Sequence, residues 1–385
     1  MSGEVGGLMR RGAVLSAVGA LSLGLTTASA MAQGTISVNR EKVLGTYGTV
    51  ESANTPISPL AAGPGRVFTQ NVGHSGATAV RFHFTVLKGV DLAYWTVVVT
   101  GADGRKWEHG PSGPTDSEFW SDETTGDLAQ VELVSTVASP PVRLVIDQVA
   151  WATVPTVPRS VVGDALFGKW KDQKEPILTL GRSVVRLRFV DDVHKKIYVC
   201  TAWLVFSNLY LLTNNHCINT EAEAKSALAD VDYNEEDGVP ARSVRLRRIV
   251  MTDVPLDFSL LELEQPLDRP PLVPGAPVTS SQKLVIIEHP GGQPKQVSAD
   301  KDCKVGLASV PGITNATTDF EHGCDTLGGS SGSSVFDAAS FTVVGLHHLG
   351  FDATGKAVNR AVHIGKVIAA IQAKYPNIAT GAPSP

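Results

Sequence analysis

Residues 324–337 read CDTLGGSSGSSVFD, and seven of them are Gly or Ser. A run of that composition is either a flexible link or a tight loop built around one reactive hydroxyl. The flanks favour the loop. SVFD (334–337) and FTVVGLHHLG (341–350) are apolar runs of strand character, not the surroundings of a linker. Between them, Gly329 and Gly332 bracket Ser330 and Ser331. Glycine permits the unusual dihedrals of a tight loop. It also lets successive N–H groups point into one spot, as stabilisation of an oxyanion requires. A serine is a poor nucleophile alone, so this reading needs a base and an orienting acid elsewhere in the chain.

Two other stretches supply them. In LLTNNHC (211–217) a Leu-rich strand runs into His216, next to Cys217. In DVPLDFSLLELEQPL (253–267) Asp257 opens the apolar strand FSLLEL. A carboxylate at a strand mouth can be buried and accept the Nδ1 proton of a histidine, fixing its tautomer. Asp253 is a local competitor that sits further from the strand. The order His216, Asp257, Ser331 is one of several used by serine nucleophiles, and it is the order of chymotrypsin-like β-barrels. The Gly-x-Ser-x-Gly elbow of α/β-hydrolases does not fit. One residue separates Gly329 from Ser331, as its first half needs, but Ser333 stands where the second Gly would be, and no strand–helix alternation surrounds the motif.

The length of 385 residues gives a prior of two domains. The chain is 43% hydrophobic and 18% charged, as globular proteins are, and its formal net charge is −5. That balance gives no basic footprint for nucleic acid or an anionic membrane. At the N-terminus, Arg10 and Arg11 precede the apolar stretch GAVLSAVGALSLGL (12–25) and the small residues of TTASAMAQ. These are the parts of an export signal over 1–32, with cleavage after Ala30 or Ala32. The Arg pair hints at twin-arginine export, though the residues after it match that signal poorly. The expected location is outside the cytoplasm, extracellular or periplasmic, with no membrane association once the signal is gone.

Export turns the four cysteines, Cys200, Cys217, Cys303 and Cys324, into candidates for disulfides. Three pairings are possible. Cys200–Cys217 with Cys303–Cys324 keeps both loops local and is preferred. No Cys-x-x-Cys or His-Glu-x-x-His motif points to a metal, and none is expected.

The periodicity reads as all-β. AVRFHFTVL (79–87) alternates, with Val80, Phe82, Phe84 and Val86 on one face and Arg81, His83 and Thr85 on a face expected to be solvated. Further short runs with turn signals suggest a small β-sandwich over 33–155. Trp95, Trp107, Trp120 and Trp151 are expected to pack there rather than bind sugar. Residues 156–181 mix Pro, Gly and charge and read as a linker. From 182 to 385 the strand pattern resumes. EAEAKSALA (221–229) suggests a short surface helix. HIGKVIAAIQAKY carries Ile364, Val367, Ile368 and Ile371 at helical spacing and suggests a packed C-terminal helix. IIEHPGG, ending at Gly292, reads as a strand end and turn.

Residues 182–375 resemble trypsin-like serine proteases of the chymotrypsin superfamily. LLTNNHC resembles the TAAHC box, with Asn214 and Asn215 in place of the two alanines. LDFSLLEL resembles DIALLKL, and GGSSGSS resembles GDSGGP. The likeness to secreted bacterial glutamyl and lysyl endopeptidases, with their GxSGSP motif, is closer still, Ser334 replacing the Pro. The resemblance implies two six-stranded β-barrels with His216, Asp257 and Ser331 in the cleft between them. It implies an oxyanion hole from the N–H groups of Gly329 and Ser331, and no cofactor. The implied activity is hydrolysis of protein or peptide substrates through an acyl-enzyme, by a chain expected to be monomeric. A binding protein on an inactive protease scaffold, or a triad esterase, are the alternatives.

The resemblance also points to specificity residues. Asp325 lies six residues before Ser331, where trypsin-like enzymes carry a pocket-floor Asp. His347 aligns with a histidine that recognises Glu, and His348 is its neighbour on the same strand. The strand from Leu346 to Gly350 is expected to pair with substrate as an edge strand. Trypsin-like zymogens carry an Asp just before the nucleophile. Ser330 stands there, so no ion-pair activation switch at that position is expected.

Overall fold

A computed structural model of the chain describes residues 40, 44–57, 64–87, 94–110, 117–137, 144–156, 159–160, 166–234, 240–314, 316–351 and 357–378. The expected export signal, 1–32, lies outside them. Among the described residues, regular secondary structure is almost all strand.

The N-terminal strands are β1 (Gly45–Ile57), β2 (Gly65–Gly73), β3 (Ala79–Val86), β4 (Trp95–Thr100), β5 (Lys106–His109), β6 (Glu118–Trp120), β7 (Thr124–Thr125), β8 (Leu128–Ser135) and β9 (Leu144–Thr156). They form two facing sheets, β1-β9-β3-β6 and β2-β8-β4-β5. Phe82, Phe84, Trp95, Val97, Val131, Leu133 and Ile146 fill the space between them. This is the small sandwich expected from the alternation. Trp95 and Trp120 are buried, while Trp107 and Trp151 are half-buried against the same cores.

The face of β3 expected to be solvated is buried. Arg81 donates to Ser226 O at 2.8 Å, across to the rest of the molecule, and His83 Nδ1 lies 2.7 Å from Asp147 Oδ1. His83 is enclosed by Asp147 and Trp120 of the sandwich itself, and Arg81 by the continuation of the sheet. β1 pairs with β13 (Lys196–Leu204), Gly45 opposite Val199 and Thr49 opposite Lys196, so the first sheet runs on into the next unit of the fold. Val50, Trp120, Ala150, Val190 and Ile197 pack at this junction. A Cβ on Gly48 would stand 2.3 Å from Trp151 O and 2.8 Å from Ile197 Cδ1. Only a glycine admits that approach.

The segment expected as a linker holds β10 (Arg159–Ser160), β11 (Gly168–Lys169) and a short helix, α1 (Ile177–Gly181). Then β12 (Val184–Asp191), β13, β14 (Tyr210–Thr213), β15 (Leu228–Val231), β16 (Arg242–Asp253) and β17 (Phe258–Leu263) follow. Their order β12-β15-β16-β17-β14-β13, with β13 returning to β12, is a closed six-stranded barrel. Alternation builds it: Val185, Leu187 and Phe189 of β12 meet Tyr198, Cys200 and Leu204 of β13 inside. α2 (Glu221–Ser226) carries the expected short helix, begun by a capping box between Thr220 and Glu223.

The remaining strands are β18 (Leu284–Glu288), β19 (Gln296–Ser298), β20 (Val310–Pro311), β21 (Thr317–His322), β22 (Thr326–Leu327), β23 (Ser334–Asp337), β24 (Val343–Phe351) and β25 (Ala357–His363). Their sheet runs β11-β19-β18-β23-β24-β25-β21-β20. Two isolated bridges, Lys283 with Lys304 and Val305 with His322, link the β18 end to the β21 end and complete the second ring. Val278, Leu284, Ile286, Phe320, Val335 and Val344 fill it. α3 (Ile364–Lys374) buries Ile364, Val367 and Ile371 against Trp203, Leu212, Phe258 and Leu346, where the two rings meet. The fold is a double β-barrel of the chymotrypsin type with a C-terminal helix, preceded by a β-sandwich.

Both cysteine pairs are joined as preferred, Cys200 to Cys217 and Cys303 to Cys324. A second expectation also needs correction. Leu346 is not on an edge: it pairs with Ser334 of β23 on one side and Val362 of β25 on the other. His347 is also engaged on the β23 side, donating to Ser333 O at 3.0 Å and accepting from Gly332 N at 2.9 Å.

Candidate active site

His216 and Asp257 are brought together by the register of one strand pair. β14 and β17 are antiparallel with Thr213 opposite Ser259, so the end of one faces the start of the other. Asn214 Nδ2 donates to Asp257 O at 2.9 Å, and Asn215 Nδ2 to Thr252 Oγ1 at 2.6 Å. The two asparagines thus tie the His-bearing turn to β16 and to Asp257. Asp257 Oδ2 lies 2.7 Å from His216 Nδ1, and its Oδ1 accepts the His216 backbone N–H at 2.9 Å. Burial pushes the Asp257 carboxyl up, but His216 and His348 outweigh it and hold the group well below the usual carboxylate range. His216 Nε2 has no hydrogen-bond partner among the described residues.

The Ser331 loop is tied to that turn from the other side. Thr201, next to Cys200, donates its N–H to Ser331 O at 2.8 Å and its hydroxyl to Gly329 O at 2.8 Å. Thr213 donates its hydroxyl to Thr201 O at 2.8 Å. The Cys200–Cys217 bond then clamps this strand to the His216 turn. Among the four nearby serines, three are committed or enclosed. Ser330 Oγ accepts Leu327 N–H at 3.0 Å, Ser333 Oγ donates to Ser330 O at 2.6 Å, and Ser334 has no exposed surface. Ser331 keeps 4% exposure, and its hydroxyl makes no hydrogen bond to a described residue. No hydrogen bond joins it to His216 Nε2 as the site stands. Among the described residues the N–H groups of Gly329 and Ser331 also find no acceptor.

Gly332 shows why this loop needs glycine. Its φ is +86°, and a Cβ there would lie 2.2 Å from Thr201 O and 2.4 Å from Thr213 Oγ1. Gly332→Ala should therefore force the loop off β14. We expect a clearly lower Tm and a drop of about 100-fold in the rate of fluorophosphonate labelling. Wild-type values of both would count against this account of the loop.

Beside the loop sits a carboxyl the sequence did not reveal. Glu288, at the end of β18, has no exposed surface, and neither oxygen finds a hydrogen-bond partner among the described residues. Burial pushes it up to about 8, against the Ser330 hydroxyl, which lowers it, and with Asp325, which adds to the rise. The folded chain holds that proton far above the usual carboxylate range. Its stabilising effect is full below the unfolded value and is lost as pH rises through about 8. Glu288→Gln removes this dependence. The Tm of that variant minus that of wild type should widen from about pH 5 to about pH 8 and then level off. Parallel curves would show that Glu288 is ionised in the fold.

The three specificity candidates are all buried. Asp325 accepts Leu166 N–H on Oδ2 at 3.0 Å, and its own N–H donates to Ser298 Oγ at 3.0 Å. His347 Nδ1 lies 3.1 Å from His322 Nε2. Burial, reinforced by His322 and His348, holds His347 well below its usual value. His348 turns away from that pair, towards Asp257 and Asp319. His322 and Asp319, both on β21, were not found from sequence. Their strand, TTDFEH, offers only Phe320 as an apolar residue and no motif.

A family model for trypsin-like peptidase domains matches residues 200–346, the span that holds Cys200, His216, Asp257 and Ser331. The secreted RxLR effector protein 73 of Plasmopara viticola is 28% identical over 171 residues, or 40% of this chain. The match covers 42% of that relative's length. Among solved structures, the active form of the Rv3671c protease of M. tuberculosis is 20% identical, with a TM-score of 0.42, over 55% of this chain and 89% of that one. The HtrA-type protease AlgW with a tripeptide is 18% identical, with a TM-score of 0.41, over 53% and 63%. The serine endoprotease from Yersinia pestis is 16% identical, with a TM-score of 0.39, over 51% and 64%. The family match supports a trypsin-like serine protease.

Proposed function

We propose that this chain is a secreted serine endopeptidase. Ser331 Oγ attacks the peptide carbonyl carbon while His216 Nε2 takes its proton. The N–H groups of Gly329 and Ser331 hold the oxyanion, each donor contributing about 3–4 kcal/mol at the transition state. His216 then gives the proton to the leaving amine, and water releases the acyl group by the reverse sequence of proton transfers. Asp257 keeps the imidazole in the Nδ1–H tautomer and stabilises its cation. The observation that carries this reading is the His216–Asp257 pair, doubly hydrogen-bonded, with Nε2 left unpartnered. The two disulfides and the name of the Plasmopara viticola relative support an oxidising, extracellular setting.

For specificity, we favour an acidic side chain before the scissile bond. The Asp325 carboxylate already accepts a backbone N–H, which argues against its serving as a free anion for Lys or Arg. The facing His322 and His347 can take up a proton when a substrate carboxylate arrives. Digestion of a peptide library, read by mass spectrometry, tests both points. Cleavage after Glu or Asp, abolished by prior fluorophosphonate treatment, is expected. Absence of cleavage would sink the endopeptidase reading, and cleavage after Lys or Arg would sink only the specificity.

A further inference from the structure

His348 lies on β24 with 1% of its surface exposed, between two carboxylates. Its Nδ1 is 3.2 Å from Asp257 Oδ2, and its Nε2 is 2.7 Å from Asp319 Oδ2. A neutral imidazole has one N–H and would turn a lone pair towards one of those oxygens. With both carboxylates ionised, only the ring protonated on both nitrogens satisfies both. Asp319 is itself fixed: it is fully buried, and its Oδ1 accepts the Thr318 hydroxyl at 2.7 Å. Gly312 closes over it, with a Cβ there 2.7 Å from Asp319 Oδ1.

We infer that His348 is a positioning residue for the catalytic pair: an imidazolium, held between Asp257 and Asp319, that fixes the Asp257 carboxylate against His216. This rests on the endopeptidase reading above. Asp257 then receives three hydrogen bonds, two from His216 and one from His348, and cannot rotate away from His216. Asp319 is the counter-charge. With it, the trio of Asp257, His348 and Asp319 carries one net negative charge, as an isolated orienting Asp would. Without it, the His348 cation would cancel the charge that His216 needs when it becomes an imidazolium.

The other titratable groups around His348 are His216 on the turn after β14, His322 on β21 and His347 beside it. Burial, with the His348 charge, pushes His322 down to about 3, and His347 is likewise held low. Burial also pulls His348 down, but Asp319 and Asp257 outweigh it and leave the ring raised to about 9. The cation of this cluster is therefore His348.

The test uses the full chain with nitrogen-15-labelled histidine. At about pH 7.5 the wild type should show one buried ring with both nitrogens protonated, and it should stay so to about pH 8.5. That signal should vanish in the double variant His348→Asn with Asp319→Asn. Asp319→Asn alone should lower kcat at least about tenfold while KM changes less than about threefold. The double variant keeps a neutral amide donor near Asp257 and removes the orphaned partner, so it should exceed Asp319→Asn in kcat. A neutral His348 ring in the wild type, or an unchanged kcat in Asp319→Asn, overturns the inference. Should Asp319→Asn fail to fold, the wild-type spectrum and the double variant still decide it. A wild type that cleaves nothing overturns the endopeptidase reading instead, and the spectrum still reads the charge on His348.

Discussion

Ser331→Ala should lower kcat for peptide hydrolysis by roughly 10⁵–10⁶-fold and leave the fold intact. The size follows from the lack of a substitute. Ser330 has its hydroxyl against Leu327 N–H, Ser333 is bonded to Ser330 O, and Ser334 is enclosed. None of them faces the cleft as Ser331 does in this account. The backbone contacts of Ser331, including Thr201 N–H to its carbonyl, do not involve the side chain, so the loop should keep its shape. The residual rate would come from binding and the oxyanion donors, roughly 10³–10⁴ over water. Steady-state kinetics on a peptide found in the library digest, with a thermal melt beside it, measures both. A loss below about 100-fold at an unchanged Tm would move the nucleophile elsewhere.

Asp230→Ala should cost about 3–5 kcal/mol of stability, measured by urea unfolding. Asp230, on β15, is fully buried and is the carboxylate that two buried guanidinium groups share. Arg186 Nε reaches its Oδ2 at 2.8 Å; Arg188 reaches Oδ2 at 2.7 Å and Oδ1 at 2.9 Å. Ser243 adds a hydroxyl donor at 2.7 Å. Burial pushes Asp230 up, and the two arginines outweigh it and hold it far below the usual carboxylate range. Removing it leaves two guanidinium groups side by side in the interior, with Arg188 still paired to Glu123. The damage should reach the site. Arg186 Nη1 also donates to Gly292 O at 2.9 Å, and a Cβ on Gly329 would stand 2.9 Å from Gly292 N. The Asp230–Arg186–Gly292 chain thus backs the segment assigned to the oxyanion. A loss below about 1 kcal/mol would mean that solvent reaches the arginines.

Much of this architecture could be read from the sequence because local chemistry writes it. Alternation in β12 separates Leu187 and Phe189, inside the barrel, from Arg186 and Arg188, which meet Asp230 outside its core. Helical spacing marks Ile364, Val367 and Ile371 on α3. The segments bearing His216, Asp257 and Ser331 each carry a recognisable pattern. What escaped depends on distant pairing. Nothing in AVRFHFTVL says that Arg81 will reach Ser226 O at the barrel. That follows from β1 meeting β13, about 150 residues further along the chain. His348 stood out in sequence only beside His347, as a specificity candidate. Its neighbour His347 faces His322, and the alternation of a strand sends His348 the other way, to Asp257 and Asp319. Asp319 and Glu288 carry no motif because their meaning lies in burial, which a lone carboxylate in a strand does not announce.

In the proposed mechanism one serine, Ser331, is activated by the His216–Asp257 pair. Treating the folded chain with a fluorophosphonate and mapping the adduct by peptide mass spectrometry tests it most directly. A single adduct on Ser331, lost in His216→Ala, is expected. An adduct on another serine, or a folded wild-type chain that takes up no label, would contradict it.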